Sequence, residues 1–219
     1  MAVTGGVCYC CKTALEVGSG GSVYAIWRHV YPGNLRDMAF TMSRDGGRTF
    51  AEPIRVSEDQ WVLEGCPDDG PTMAVDAQQR IHVVWPTLVK ESSAPGTQPA
   101  EAIALFYASS SNGRTFTKRQ RVPTEGLPHH PRIAASSDGS LTVVWDELNK
   151  GTRRVVVARS TPAADGFPRF RRELLAQGGP AVYPVVAVAG GDAIAAWTSG
   201  TSAESSILIG RMSAAGGGR

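Results

Sequence analysis

A phrase ending in tryptophan recurs four times in this chain of 219 residues, and it constrains the fold more than any other feature. The copies are GSGGSVYAIW (18–27), DAQQRIHVVW (76–85), SSDGSLTVVW (136–145) and AGGDAIAAW (189–197), each a polar turn followed by an apolar, β-rich run. Their closing residues Trp27, Trp85, Trp145 and Trp197 are 58, 60 and 52 positions apart. That period is too long for a hairpin and suits one four-stranded sheet per unit, repeated radially. The expected fold is all-β: a β-propeller of about four four-stranded blades at 8–63, 64–126, 127–179 and 180–213.

Each unit divides into strands A to D. In the third, HPRIAAS (130–136), LTVVWDE (141–147), RRVVVARS (153–160) and FRRELL (170–175) follow in order. The fourth supplies VVAVA, AIAAWT and SILIGRM, and no strand D. With 25 Gly and 14 Pro placed between short apolar runs, the punctuation is that of a β chain rather than of disorder. A net charge of +2, with no basic stripe carrying interleaved aromatics, argues against a nucleic-acid partner. No apolar run reaches the length of a membrane span. The first residues, MAVTGGVCYCCKTAL, lack the regions of a secretory signal, so secretion or a periplasmic location would need an upstream leader. The final AAGGGR reads as a flexible end.

Between strands C and D, SRDGGRTF (43–50) has the form Ser-x-Asp-x-Gly-x-Thr-aromatic, and SSSNGRTF (109–116) repeats it with Ser111 in the Asp position. STPAADGF in the third unit is an expanded version. This motif resembles the Asp-box of the sialidase (neuraminidase) and BNR-repeat superfamily. The resemblance covers nearly the whole chain and implies a scaffold role for Ser43, Asp45, Gly47, Thr49 and Phe50. The same holds for Ser109, Gly113, Thr115 and Phe116. In such turns Asp and Ser tie the hairpin through the backbone, Gly takes an unusual φ, and the ring packs between strands. The resemblance also implies a six-bladed whole, of which this chain would be the C-terminal portion. If the chain is complete, closure as a small four-bladed ring, or an oligomer, is the expectation instead.

An active sialidase would add three arginines around a substrate carboxylate, a Tyr nucleophile with its Glu, and an Asp acid/base. The first arginine lies in an Arg-Ile-Pro motif in that family. No such tripeptide occurs here; Arg132-Ile133 lacks the following Pro. The resemblance therefore implies an exo-sialidase-like hydrolase or glycan binder whose catalytic set is incomplete.

Used as a ruler, the tryptophans align a second set of residues. Cys8 and Cys66 each lie 19 positions before their Trp, Cys11 and His129 lie 16 before, and Lys12 and His130 lie 15 before. All enter strand A, which lines the axis, so they converge on one mouth. Thiolates with imidazoles suit Zn or Cu, which makes Cys8, Cys10, Cys11, Cys66, His129 and His130 candidate ligands. A Cys8–Cys66 disulfide and inert packed thiols are the competing readings.

The first B–C segment, WRHVYPGNLRD (27–37), opens on the same face and offers Arg28, His29, Tyr31 and Arg36. Arginine forks suit carboxylate groups, and a solvated hairpin with ordinary charge pairs is the alternative. Trp61 could stack on a sugar or cap an edge between blades, and Asp68 and Asp69 share the rim. The expected ligands are thus an anionic carbohydrate or a soft metal ion, with a protein-interaction scaffold as the third possibility. His82, alternating with apolar neighbours, reads as structural.

Overall fold

The computed structural model describes residues 2–91, 100–161, 167–176 and 179–213. The first sheet holds β1 (Ala14–Val17), β2 (Val23–Tyr31), β3 (Leu35–Ser43) and β4 (Ile54–Arg55). The second holds β5 (Thr72–Val75), β6 (Ile81–Glu91), β7 (Ala100–Ser110) and β8 (Gln120–Val122). The third holds β9 (Leu127–Ala135), β10 (Leu141–Asn149), β11 (Thr152–Thr161) and β12 (Arg169–Leu174). The fourth holds β13 (Ala181–Ala189), β14 (Asp192–Gly200) and β15 (Ser205–Met212), three strands among the described residues. Every sheet is an antiparallel meander in chain order, and the inner strands β1, β5, β9 and β13 neighbour one another in turn. The architecture is that of a β-propeller portion. Among the described residues no helix is long and apolar enough to cross a membrane.

The tryptophan-ended runs are apolar throughout because these strands are buried on both faces. Alternation along β6 sends Val83 and Trp85 into a core shared with Ile26, Met38 and Phe40 of the first sheet. Val84 goes the other way, into a core with Ile133, Val143 and Trp145 of the third sheet. On β10, Val144 in turn joins Ala195 and Trp197 of the fourth. One core thus lies at each junction between consecutive sheets, and period-two alternation divides each central strand between two of them. On the first and last of the four described sheets, apolar side chains are exposed: Leu15 and Val17 on β1, Ile207 and Ile209 on β15.

Beside two of the tryptophans the inner ladder breaks in the same way. The pairing of β9 with β10 slips between Val144 and Asp146, and that of β13 with β14 slips between Val182 and Val185. His130-Pro131 and Tyr183-Pro184 fill these bulges. Proline has no N–H to give the ladder, and the residue before it turns left-handed, with φ of 52° at His130 and 53° at Tyr183. The freed N–H of His130 donates to Asp69 Oδ2 (3.0 Å) and that of Tyr183 to Asp146 Oδ1 (3.3 Å), so each bulge ties its blade to the preceding one.

The two C–D turns close by side-chain capping, with one change of register from the sequence reading. In the first, Asp45 Oδ1 accepts the Thr49 N–H (2.9 Å) and the Arg48 N–H, while Ser43 Oγ accepts the Gly47 N–H (2.9 Å). In the second, Ser110 and not Ser109 accepts the Gly113 N–H (2.9 Å). Asn112, not Ser111, accepts the Thr115 N–H (3.0 Å). The second turn is one residue shorter between Ser and Gly, which shifts both roles forward by one position. Phe116 packs edge-on against Phe40, 5.2 Å between centroids. The expanded third copy and the AAGGGR end fall largely outside the described residues.

Candidate functional site

Ahead of β1, the chain runs back along the end of β2. Val7 bridges His29, the Cys8 N–H donates to the Arg28 carbonyl (3.0 Å), and the Cys11 N–H returns to the Cys8 carbonyl (3.0 Å). This turn gathers three cysteines: the Sγ atoms of Cys8, Cys10 and Cys11 all lie within 4.8 Å of one another. Opposite them, the segment between β4 and β5 is laid over the β2–β3 hairpin. Val62 bridges Leu35, and the Leu63 carbonyl accepts from Asn34 Nδ2 (2.8 Å) and Arg36 Nη2 (3.1 Å). The segment delivers Cys66 to Cys10, and the two form a disulfide.

The pairing anticipated between Cys8 and Cys66 is therefore replaced by Cys10–Cys66. Cys8 and Cys11 are free thiols. Cys11 Sγ donates to Cys8 Sγ at 3.1 Å, and Arg36 Nη1 donates to the same Cys8 sulfur at 3.3 Å. Burial, helped by the bond to Cys8, pushes Cys11 up to about 12, so Cys11 holds its proton.

Arg28 lies beneath this cluster, fully buried, with its guanidinium 4.9 Å from the Trp61 ring. It donates to the Asp69 carbonyl (3.3 Å from both Nε and Nη2) and to the Pro86 carbonyl (2.7 Å). Its Nη1 is buried without a hydrogen-bond partner. Burial pulls its pKa down.

This geometry places most of the first B–C segment in strands. The hairpin tip is confined to 32–34, so Arg28, His29, Tyr31 and Arg36 belong to strands rather than to an open loop. Arg28 and Arg36 donate to backbone carbonyls and to Cys8, while Arg28 Nη1 and Arg36 Nε are buried without a hydrogen-bond partner. Trp61 is buried over Arg28 instead of forming an open stacking wall. His29 and Tyr31 face each other, ring centroids 4.5 Å apart, with Arg55 over Tyr31 at 4.6 Å. Asp68 is exposed with φ of 47°. Asp69 is buried, accepting the His130 N–H with His129 Nδ1 at 3.5 Å.

The two histidines are likewise separated from the sulfurs. His130 Nδ1 sits 2.7 Å from Asp146 Oδ1, and Asp146 also takes Arg153 Nη1 at 2.5 Å. Among the described residues, the group of side chains close enough to share a metal is Cys8, Cys10 and Cys11, without His129 or His130. Their alignment by the tryptophans holds in the fold, but each ring is held by a carboxylate. Lys12 reaches across the mouth, its ammonium 5.9 Å from the Tyr183 ring centroid. His82, away from this face, bonds Asp76 (3.1 Å) and Tyr107 (2.8 Å) in a buried chain.

Sequence reasoning passed over Gly70. A Cβ there would come within 2.1 Å of the Lys12 carbonyl oxygen, so the absence of a side chain is what lets the second sheet approach the first beside the cysteines. The signal was available in the register: Gly70 and Lys12 both lie 15 positions before their tryptophans.

No protein-family model matches the chain, and no curated protein matches it. Solved structures do. The chain superposes on the intramolecular trans-sialidase from Ruminococcus gnavus, in complex with oseltamivir carboxylate, with a TM-score of 0.62 at 11% identity, over 90% of this chain and 67% of that one. On the Hadza microbial sialidase the values are 0.60 and 15%, over 90% and 43%. On a protein of unknown function from Dyadobacter fermentans they are 0.61 and 13%, over 92% and 60%. The fold is sialidase-like, and the chain spans 43% of the Hadza enzyme's length.

Proposed function

We propose that this sialidase-like propeller carries a thiolate metal site at its axial mouth, taking a soft cation, Zn2+ or Cu+, on Cys8, Cys10, Cys11 and Cys66. One observation carries the reading: three sulfurs within 4.8 Å of one another, with the fourth bonded to one of them. Tetrahedral zinc with Zn–S near 2.3 Å needs sulfurs about 3.8 Å apart. Cys8 and Cys10 already stand at 3.8 Å. Four thiolates on Zn2+ leave a net charge of about −2, and Arg36 on Cys8 with buried Arg28 beneath supplies two compensating cations. Binding requires the Cys10–Cys66 bond to be reduced, since only thiolates are ligands. Protein reduced with a phosphine, freed of it without oxygen and offered the ion, should retain about one equivalent of zinc or copper by elemental analysis. Retention below about a tenth of an equivalent would overturn the reading.

A glycan-acting or glycan-binding role is the second reading. Its support is the likeness in fold to sialidases, one of them holding oseltamivir carboxylate, together with the two capped turns that match the Asp-box of the BNR-repeat proteins. On it, the chain is the C-terminal portion of a longer six-bladed propeller. The burial of Arg28 and the commitment of Arg36 to Cys8 favour the thiolate reading over it. A fluorogenic sialoside assay and a glycan array on folded protein separate the two: hydrolysis or saccharide binding would restore the second reading, and blanks in both would remove it.

A further inference from the structure

The disulfide at the mouth has an attacking group already in place beside it. Cys8 Sγ lies 3.8 Å from Cys10 Sγ, and Cys11 Sγ lies 3.1 Å from Cys8 Sγ. The Arg36 Nη1 lies 3.3 Å from the Cys8 sulfur and holds it in place beside Cys10. The two ends of the array differ in access. Cys8 is 4% exposed, whereas Cys66 is open to solvent. Sulfur exchange needs an attacking sulfur beside a disulfide sulfur, a leaving sulfur and a route for the product, and Cys8, Cys66 and the exposure of Cys66 supply these in turn.

We propose that Cys8, Cys11 and the Cys10–Cys66 disulfide form a dithiol–disulfide relay that moves a disulfide between the Cys8/Cys11 pair, whose Cys8 is buried, and the Cys10/Cys66 pair, whose Cys66 is exposed where a partner thiol or disulfide can reach it. In the first step Cys8 Sγ attacks Cys10 Sγ. The Cys8–Cys10 bond forms, the Cys10–Cys66 bond breaks, and Cys66 leaves as a thiolate that takes up the proton Cys8 gave away. In the second, Cys11 Sγ attacks Cys8 Sγ. The Cys8–Cys11 bond forms, the Cys8–Cys10 bond breaks, and Cys10 leaves as a thiolate that receives the proton of Cys11. One disulfide and two thiols become one disulfide and two thiols, so the relay needs no external oxidant or reductant. The freed Cys66 thiol can then attack an external disulfide, forming a mixed disulfide and releasing one external thiolate, which takes up the Cys66 proton. The relay needs no metal ion, so it stands or falls apart from the thiolate metal site that uses the same cysteines.

The test uses the oxidised full chain in chelator, without reductant, where metal binding plays no part. Native protein is incubated with iodoacetamide, and the labelled and bonded cysteines are located by peptide mass spectrometry. The relay predicts product labelled on Cys10 and Cys66 that carries a Cys8–Cys11 disulfide. In Cys8→Ser, label on Cys66 should fall at least about tenfold, because the attacking sulfur is gone. Should Cys8→Ser fail to fold, the half-exposed Cys11→Ser serves: exchange there stops at Cys8–Cys10, leaving label on Cys66 but not on Cys10. A second arm replaces iodoacetamide with oxidised glutathione and expects glutathione on Cys66. Label confined to Cys8 and Cys11 with Cys10–Cys66 intact overturns the relay. Iodoacetamide label on Cys66 without glutathione there overturns its outward exchange.

Discussion

Gly70 presses against the Lys12 carbonyl so closely that a Cβ would come within 2.1 Å of its oxygen. This contact sets the approach of the second inner strand to the first, and the loop ending at Gly70 carries Cys66. Gly70→Ala must displace backbone rather than a flexible side chain, at a cost of about 3 kcal/mol. Urea unfolding should show that loss. The same variant should form less Cys10–Cys66 disulfide in oxidative refolding, measured by thiol titration.

Asp146 is fully buried and holds three groups: His130 Nδ1, Arg153 Nη1 and the Tyr183 N–H. Asp146→Ala leaves His130, the partly exposed Arg153 guanidinium and a bulge N–H without their acceptor, and should destabilise by about 2 kcal/mol. Thermal unfolding checks this, with Asp138→Ala, which accepts from nearby Ser140, as the mild comparison.

Asp45 accepts from Ser43, Arg48 and Thr49, and the side-chain and backbone bonds of Thr49 lead in holding its carboxyl well below the usual range. A depressed folded pKa means the unfolded chain takes the proton first on acidification. The contribution is thus present above about pH 4 and is lost as pH falls from there toward the folded value. Melting curves of wild type and Asp45→Asn should differ most at neutral pH and converge in acid. The second turn already uses Asn112 in that role, so Asn112→Asp should add stability at neutral pH and a new acid sensitivity.

His82 titrates in the opposite sense to a surface histidine paired with an acid. Burial lowers its pKa, outweighing the Asp76 carboxylate that would raise it. Below about pH 6.5 the unfolded chain binds a proton that the folded chain resists, so this group withdraws stability as pH falls through that value. Denaturant midpoints measured between pH 8 and pH 5 should drop more steeply in wild type than in His82→Gln.

The tryptophan ruler made the sheets legible because one strand in every unit must alternate between two cores, and that demand writes Val84 and Trp85, or Val144 and Trp145, into the sequence. It also aligned Cys8 with Cys66 and Cys11 with His129. It did not select the disulfide, because Cys10 lies 17 positions before Trp27 while Cys66 lies 19 before Trp85. Pairing across blades follows the loop laid over the β2–β3 hairpin, which no count within a blade reports. Arg28 and Arg36 read as rim cations because the hairpin looked like a loop. Cross-strand pairing carried to Tyr31 and Leu35 draws both into the protein instead. The shortened second turn hid Asn112 for a simpler reason: Ser109, Ser110 and Ser111 are indistinguishable until the hydrogen bonds choose one.

Thiol titration of reduced, chelator-stripped protein tests the thiolate site most directly. The account predicts four reactive thiols per chain, on Cys8, Cys10, Cys11 and Cys66, all protected by about one equivalent of Zn2+. Four thiols that stay equally reactive with the ion present would contradict it.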